Sequence, residues 1–350
     1  MSKIKKAHVT LYNVLFTVMI PLCVLIIMEM LVRCFTGVHL IDSQVDFITL
    51  MRRVVTSFCF ALGLNCNLAL GRMDLSAGSQ MYLACILGGN LAMNLTGSLG
   101  EAAEGIFILL LSMLVGAFAG ALVGFLYVKL RILPMVLGLG VALVYECISF
   151  IVNNNQGLIM YGKGRVLSNW WFLGITVIVV MAVMTYLFQY SYFGFNRRAI
   201  RGNQKLAADV GINIYSNAVV CYILAGVLVA IAGIFTTVYE TRLYPVLGMS
   251  SNSYVFVNLF PMAVGMWLAR KTNPVVGIFV GALSVQLLIL GLGKFSVIGM
   301  SSYMQTCIRY LCWLVFTIYR MNEDRFGYAK ERKERIALAK ATRATMAAAG

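Results

Sequence analysis

The chain has 350 residues, of which 61% are hydrophobic and 12% are charged, and its formal net charge is +15 at pH 7. A soluble domain carries about 25% charged residues, so this composition excludes a soluble globular protein. The basic residues occur in short clusters between long apolar runs, which is the placement that orients membrane proteins, and this placement argues against nucleic-acid binding.

Ten apolar segments have the length expected of bilayer-crossing helices, which is about 20 residues. In chain order they are 11–32, 47–70, 75–91, 106–127, 133–152, 170–189, 217–239, 254–268, 274–292 and 303–318. The third and eighth segments are short, and the second contains Arg52 and Arg53 near its start. We therefore expect an all-α polytopic membrane protein with about ten transmembrane helices.

The distribution of basic residues predicts the orientation of these helices. With the N-terminus in the cytoplasm, most of the 28 Lys and Arg residues fall in cytoplasmic segments, and ten crossings return the C-terminus to the same side. Residues 1–321 are predicted to form the transmembrane domain, and 322–350 a charged cytoplasmic tail. The first segment is too long for a signal-peptide core, so it is interpreted as an uncleaved span.

Common catalytic and nucleotide-binding motifs are missing from the sequence. It contains no G-x-x-x-x-G-K-[ST] phosphate loop, no H-E-x-x-H and no G-x-S-x-G. The nine cysteines lie almost entirely within apolar runs and form no C-x-x-C pair, which supports neither a disulfide framework nor a zinc site. An enzyme or an assembly scaffold in the membrane is therefore disfavoured.

Ionisable side chains at membrane depth are candidates for function because they are costly there. Glu29, Glu146, Arg309 and the pair Arg52 and Arg53 qualify, and Glu146 is the carboxylate placed most deeply. The favoured interpretation is that Glu146 pairs with a basic or polar group in the bundle, such as Arg309. The alternative is a direct role in a transport pathway.

A polar stretch joins the second and third apolar segments, over residues 71–79. Asp74 and Ser76 carry side-chain oxygens that can accept hydrogen bonds from the free N–H groups at a helix start. Capping is one interpretation of these residues, and a position beside a transport pathway is compatible with it. Asn65 and Asn67 lie nearby in the sequence and are candidates to line a pathway for hydroxylated ligands.

The longest internal cytoplasmic segment is the largely polar stretch 190–216. A turn is expected at Gly202 and Asn203, a short helix over residues 204–210, and an end to that helix at Gly211. Such a helix, with small residues at Ala207 and Ala208, suits a groove on another protein. A solvated loop is the alternative.

These two segments resemble the permease subunits of ABC importers for simple sugars, of the ribose, xylose and galactose type, which are related to branched-chain amino-acid permeases. The family's stretch Gly-Gly-Ile-Asp-Leu-Ser-Val-Gly-Ser is matched here by Gly71, Asp74, Leu75, Ser76, Gly78 and Ser79. Its loop Gly-Asn-x-x-Ala-Ala-x-x-x-Gly-Ile is matched by Gly202, Asn203, Ala207, Gly211 and Ile212, with Leu206 in place of the first Ala. Where the family has paired glycines, residues 265–274 keep only Gly265, which indicates a divergent member.

The resemblance implies a permease subunit of an ATP-driven importer in a bacterial plasma membrane, with a pathway for a sugar or sugar-like solute. A second permease subunit, identical or different, would complete the pathway. Separate ATPase subunits would bind ATP and Mg, an extracytoplasmic solute-binding protein would deliver the solute, and this chain would bind no cofactor. The residues expected to couple to the ATPase are Arg198, Arg201, Gly202, Asn203, Leu206, Ala207, Ala208, Gly211 and Ile212. The candidate pathway residues are Asn65, Asn67, Asp74, Ser76 and Glu146.

A stand-alone carrier driven by protons or sodium is the alternative function, because membrane carboxylates are what such carriers use. For a carrier of that kind, replacing Glu146 with Gln should abolish transport, whereas depletion of ATP should not.

Overall fold

The computed structural model describes residues 3–96, 101–160, 164–270 and 272–323. These residues are almost entirely helical. The chain divides into two compact units, residues 1–291 and residues 292–350. The predicted tail lies almost wholly outside the described residues.

The helices of the described ranges follow one another with short connections. They are α1 Lys3–Thr36, α2 Gln44–Leu68, α3 Ala77–Leu95, α4 Glu101–Leu130, α5 Pro134–Ile151, α6 Arg165–Ser168, α7 Trp170–Thr185, α8 Tyr192–Gly202, α9 Gln204–Asp209, α10 Ile214–Glu240, α11 Asn252–Leu268 and α12 Pro274–Lys294. A further helix, α13, covers residues 302–323. Helix α7 continues into a π-turn at Tyr186–Tyr190, and 3₁₀ turns occur at Val152–Asn155 and Phe295–Ile298. Two short strands, β1 Leu158–Ile159 and β2 Arg242–Leu243, pair antiparallel.

Each of the ten predicted apolar segments coincides with a helix, which confirms the helical class. By length and composition, seven helices in the described part of the chain can cross a membrane. They are Leu15–Thr36, Gln44–Leu68, Ala103–Leu130, Pro134–Ile151, Trp170–Tyr190, Ile214–Glu240 and Pro274–Ile298. Helices α3 and α11, at 19 and 17 residues, are short, as the sequence predicted for the third and eighth segments.

Helices α4 and α10 pack closely because glycines form their contact. A Cβ atom built on Gly226 would collide with the carbonyl oxygen of Gly116, and one built on Gly120 would collide with that of Tyr222. Small residues allow membrane helices to approach closely enough for dispersion contacts along their backbones. The glycines of α4 therefore have a packing role, and α10 lies at the centre of the first unit.

The core around α10 is built from α2 and α3. Phe58 and Phe60 on α2, Met81 on α3 and Phe235 on α10 are all fully buried. Because these large side chains lie among helices and not in lipid, α2 and α3 are inner helices of the unit. Their connection carries the first polar motif, and Arg72, Asp74 and Ser76 within it are buried.

The glycine retained at position 265 serves a second close contact, between α11 and α12. A Cβ on Gly265 would collide with the backbone of Ile278, and one on Gly277 would lie 2.7 Å from the Gly265 carbonyl oxygen. Here the glycines that permit close approach are divided between two helices. The local sequence around Gly265 alone did not reveal this arrangement.

Candidate functional site

The joint between α2 and α3, residues 69–76, is a compact turn inside the first unit. Helix α2 ends at Leu68, and Gly71 then takes a left-handed conformation with φ of +75°. The Gly71 N–H donates to the Leu68 carbonyl (2.9 Å) and the Arg72 N–H to the Asn67 carbonyl (3.2 Å). These bonds satisfy carbonyls left free at the helix end, although Gly71 itself is exposed.

Asp74 is the centre of a hydrogen-bond network within this joint. One carboxylate oxygen accepts from the Ser76 N–H (2.9 Å) and the Ser76 hydroxyl (2.6 Å), and the other accepts from the Gln80 side-chain amide (3.3 Å). Burial raises the pKa of the Asp74 carboxyl, although the hydrogen bonds from Ser76 and Gln80 act to lower it. Asp74 therefore caps the start of α3, as its sequence position suggested. The expectation for Ser76 is wrong, because its side chain makes no cap hydrogen bond to the backbone.

Two glycines allow neighbouring elements to press against the joint. A Cβ on Gly138 of α5 would lie 2.8 Å from the Leu75 nitrogen and 3.3 Å from the Asp74 carboxylate. A Cβ on Gly78 would collide with the carbonyl oxygen of Ser251, just before α11. The network around Asp74 is thus enclosed by α5 on one side and the start of α11 on another.

Glu146 binds the segment that leads into α11. Its two carboxylate oxygens accept from the N–H groups of Met249 (2.8 Å) and Ser251 (3.0 Å), and the side chain is fully buried. Met249 has a φ of +64°, so this carboxylate holds a turn in an uncommon backbone conformation. The partner is polar, as favoured in the sequence analysis, and it is main chain. The pathway role of Glu146 stays a prediction.

Several buried polar atoms at or near this joint have no hydrogen-bond partner among the described residues. They are Asn67 Nδ2 and Oδ1, Arg72 Nη1, Gln80 Oε1, Tyr222 OH, Ser251 Oγ and Asn252 Oδ1. The Arg72 guanidinium lies 5.5 Å from the Tyr127 ring centre, and that ring lies 5.8 Å from the ring of Tyr222. Buried polar groups are normally satisfied, so this region has the capacity to bind hydroxyl groups or water.

Four of the five candidate pathway residues therefore belong to one region, at the end of α2 and the joint that follows it. Asn65, Asn67, Asp74 and Ser76 are all buried. Glu146 reaches the same region indirectly, because its partner Ser251 lies against Gly78. Sequence reasoning did not single out Arg72, Gln80 and Tyr222.

We expect replacement of Asp74 by Ala to destabilise the protein by about 1–3 kcal/mol, because the Ser76 N–H would lose its acceptor in a buried site. Asp74→Asn is the matched control, since it retains an oxygen for that N–H and should cost less. Thermal unfolding of both purified variants in detergent measures the effect. An Asp74→Ala variant with the same melting temperature as the wild-type protein would contradict the capping role.

The short helix α9 forms where the sequence predicted it. The Asn203 side chain accepts from the N–H groups of Lys205 (3.0 Å) and Leu206 (3.1 Å), and Gly211 ends the segment with a φ of +89°. Ala207 is buried at 4% exposure, whereas Leu206 is 60% and Val210 75% exposed. The two exposed apolar residues are four positions apart, so they lie on one side of the segment. We call Leu206 and Val210 the α9 apolar pair.

Helix α8, which precedes α9, was expected to be part of a polar loop, and this expectation is wrong. Ser191 caps the helix by accepting from the Gly194 N–H (3.2 Å). Arg197 is buried, and its guanidinium donates to the Asn65 carbonyl (2.8 Å) and to the Asn65 side-chain oxygen (3.1 Å). Burial lowers the pKa of Arg197 from its ordinary value, but an arginine stays charged in proteins. The neighbouring Arg198 is exposed and donates to the Phe188 carbonyl (2.8 Å).

Two grooves among the described residues are lined almost entirely by apolar side chains and are not suited to a polar solute. One, of about 310 Å³, runs between α4, α7 and α10 and is lined by apolar side chains together with Thr176, whose hydroxyl already donates to the Phe172 carbonyl. In the described ranges no three His, Cys, Asp or Glu side chains are close enough to hold a metal ion. The polar region around Asp74 is accordingly the better candidate for solute contact.

Long apolar helices that enclose a buried polar joint are typical of a multi-pass membrane protein. Residues 47–317 match the family described as branched-chain amino acid transport system / permease component, and the chain belongs to this family of transport permeases. This membership confirms the resemblance drawn from the two motifs and makes the chain a transport component, in a family whose members are not enzymes.

Relatives within this class are similar to the chain at low identity. The ribose import permease protein of Bacillus subtilis (strain 168) is 25% identical over 288 residues, which cover 78% of this chain and 84% of the relative. That of Escherichia coli (strain K12) is 23% identical over 279 residues, covering 75% and 82%. The galactofuranose transporter permease protein of the same strain is 28% identical over 207 residues, covering 56% of each chain.

Proposed function

We propose that this chain is the membrane-spanning subunit of an ATP-driven ABC importer and forms the translocation pathway for a sugar or a sugar-like small solute. Family membership over residues 47–317 supports the permease role. The relatives named for ribose and galactofuranose support the solute class. The observation that supports an ATP-driven mechanism is the exposed apolar pair on α9, a helix capped by Asn203.

The proposed topology has ten transmembrane helices and both termini in the cytoplasm. Seven helices suffice by length and composition, and α3, α11 and α13 would add the remaining three. The transmembrane permease domain would cover residues 1–321 and the cytoplasmic tail residues 322–350. In this orientation α8 and α9 lie in the cytoplasm, because the basic residues around them follow the positive-inside rule.

The proposed partners follow from the need for an energy source on other chains. Two ATPase subunits would bind ATP and Mg and receive α9 of each permease subunit. A second permease subunit, identical or different, would face the first across the pathway. An extracytoplasmic solute-binding protein would deliver the solute, and the assembly would lie in a bacterial plasma membrane.

The segment α8–α9 has the features that coupling to an ATPase requires. Asn203 and Gly211 fix both ends of α9, so the helix is preorganised. The α9 apolar pair projects from it at more than half exposure, next to the exposed Ala208. An amphipathic helix with such anchors typically docks in an apolar groove. Arg198, Arg201 and Ile212 flank this surface and complete the proposed coupling segment.

The proposed pathway passes beside the α2–α3 joint. Asn67, Arg72, Gln80 and Tyr222 offer buried donors and acceptors without partners among the described residues. Hydroxyl groups of a sugar can satisfy such atoms as water does, by donating and accepting at once. Asn65, Asp74 and Ser76 would shape this region, and Glu146 would hold the segment before α11 against it.

The test replaces one member of the α9 apolar pair. Leu206→Asp should abolish co-purification of the ATPase subunits and reduce ATP-driven uptake at least about tenfold, because a buried charge without a partner costs several kcal/mol. Leu206→Met is the matched control, since it keeps the apolar surface and should couple normally. Pull-down from membranes and uptake into proteoliposomes give the two readouts. Normal assembly and uptake in Leu206→Asp would sink the proposal.

A further inference from the structure

The buried cation of Arg197 has an unusual set of partners. Its exposure is 5%, and within the described residues no carboxylate pairs with it. The guanidinium instead contacts the end of α2, through the carbonyl and side-chain oxygens of Asn65, and lies 4.2 Å from the centre of the Phe188 ring. A buried charge is costly unless such contacts compensate it.

The three contacts can hold the charge because each presents negative potential. The Asn65 carbonyl is in the last turn of α2, where the helix dipole is negative. The face of an aromatic ring attracts a cation. Two charge-assisted hydrogen bonds to one residue also fix the direction of the guanidinium. Arg197 therefore links α8 to one point at the end of α2, and it also interacts with the thiol of Cys221 on α10.

This point lies between the two functional segments of the molecule. Helix α8 ends at Gly202, and α9 begins at Gln204 after the single cap residue Asn203, so α8 and α9 are directly connected. On the other side, Asn65 is three residues from the end of α2, and the joint that contains Asp74 follows directly in the chain. A displacement of α8 must either move the end of α2 or break the contact with Arg197.

We propose that Arg197 is a positioning residue that transmits movement of the α8–α9 segment to the α2–α3 joint through Asn65. This inference rests on the proposed function, since it requires an ATPase that moves α9. The contact acts as a rigid link: ATPase closure displaces α9, α8 follows, and Arg197 carries the end of α2 and the Asp74 network with it. Arg197 touches neither the solute nor the ATPase in this scheme.

The experiment compares variants of the complete importer, reconstituted with its ATPase subunits and binding protein in liposomes. Arg197→Gln removes the charge, Arg197→Lys keeps it, and Asn65→Ala removes one of the two acceptors. We measure solute taken up per ATP hydrolysed, basal hydrolysis, and the amount of ATPase that co-purifies. Lys129→Ala, which removes an exposed cation from the end of α4, is the matched control.

We expect Arg197→Gln to lower uptake per ATP about tenfold or more, because hydrogen bonds to charged groups are the stronger class. Asn65→Ala should lower it by a smaller factor, Arg197→Lys should rescue part of the loss, and Lys129→Ala should leave the ratio unchanged. The Arg197 variants and Lys129→Ala should retain basal hydrolysis and bound ATPase. In the double variant Arg197→Gln with Asn65→Ala, the loss should be less than the product of the single losses, since both changes break one link.

Three outcomes would overturn the inference. These are a wild-type ratio of uptake to ATP in Arg197→Gln or in Asn65→Ala, multiplicative losses in the double variant, and loss of bound ATPase from either single variant. If Arg197→Gln does not fold, the uptake ratio of Asn65→Ala tests the inference by itself. That variant keeps the main-chain carbonyl that accepts from Arg197 and is therefore less disruptive. Failure of the wild-type chain itself to bind an ATPase or to take up solute with ATP would instead overturn the proposed function, and this inference with it.

Discussion

Replacement of Gly226 by Val should remove correctly folded protein from the membrane. The valine side chain would need the space held by the Gly116 carbonyl oxygen, and that atom is part of the backbone of α4. Relief requires α4 and α10 to separate along their length, which would disrupt the centre of the core. Adding methylene groups to a packed core costs about 1–3 kcal/mol of stability when side chains can adjust. Here the colliding atom belongs to the backbone and cannot adjust, so the loss of stability should be larger.

The matched control is Gly174→Val on α7. A Cβ at Gly174 meets no atom within 4 Å, so the same substitution in another apolar helix should be tolerated. Size-exclusion chromatography of the detergent-solubilised variants, with yield and melting temperature, measures both. Equal yields and melting temperatures for the two variants would show that α4 and α10 do not pack through Gly116 and Gly226.

Replacement of Glu146 by Ala should have the second-largest effect, a loss of about 2–6 kcal/mol in the free energy of unfolding. Two buried N–H groups, of Met249 and Ser251, would lose their acceptors, and each unsatisfied group costs about 1–3 kcal/mol. Glu146→Gln retains one oxygen and should lie between Ala and the wild-type residue. Thermal or denaturant unfolding in detergent should give that order.

Glu240→Ala provides the control for this series, because Glu240 is an exposed carboxylate at the end of α10. It should leave the stability unchanged. The same variants also address transport. If Glu146 acts by holding the segment before α11, uptake per folded molecule in Glu146→Gln should still depend on ATP and be insensitive to a protonophore. An ATP-independent, proton-dependent uptake that Glu146→Gln abolishes would favour a carrier.

The helical class could be predicted from the sequence because the bilayer leaves few alternatives. A segment in hydrocarbon must satisfy its own backbone hydrogen bonds, so an apolar run of sufficient length becomes a helix. All ten apolar segments did so, including the second, despite Arg52 and Arg53. The structure shows how these two are accommodated: Arg52 donates to Ser168, and Arg53 donates to the Tyr239 hydroxyl (2.8 Å).

Local signals identified α9 but not α8. The cap residue Asn203 and the terminating Gly211 are both visible in the sequence, and both act within a few residues. Helix α8 carries Arg197 and Arg198 in succession, a pattern typical of a solvated loop. The Ser191 cap is a local signal, but the contact that buries Arg197 joins it to Asn65, 132 residues away in the chain. No local pattern contains that information.

The candidate site likewise has features that local sequence signals reveal and others that depend on long-range contacts. The joint could be located from the sequence because the polar stretch 71–79, with Asp74, interrupts two apolar runs. The partners of Glu146 could not be predicted, since they are main-chain N–H groups 103 and 105 residues further along the chain. Main-chain donors are present at every position, so the sequence does not distinguish the ones that a buried carboxylate will meet.

The exposure of the α9 apolar pair bears on how fast the protein is degraded in the cell. Leu206 and Val210 are exposed in the isolated chain, and an exposed apolar surface of this kind is a site for non-specific association. Under the proposed function, a permease subunit made in excess of an ATPase partner would present this surface to chaperones and proteases. Its abundance should then follow that of the proposed ATPase, because subunits without this partner would be degraded.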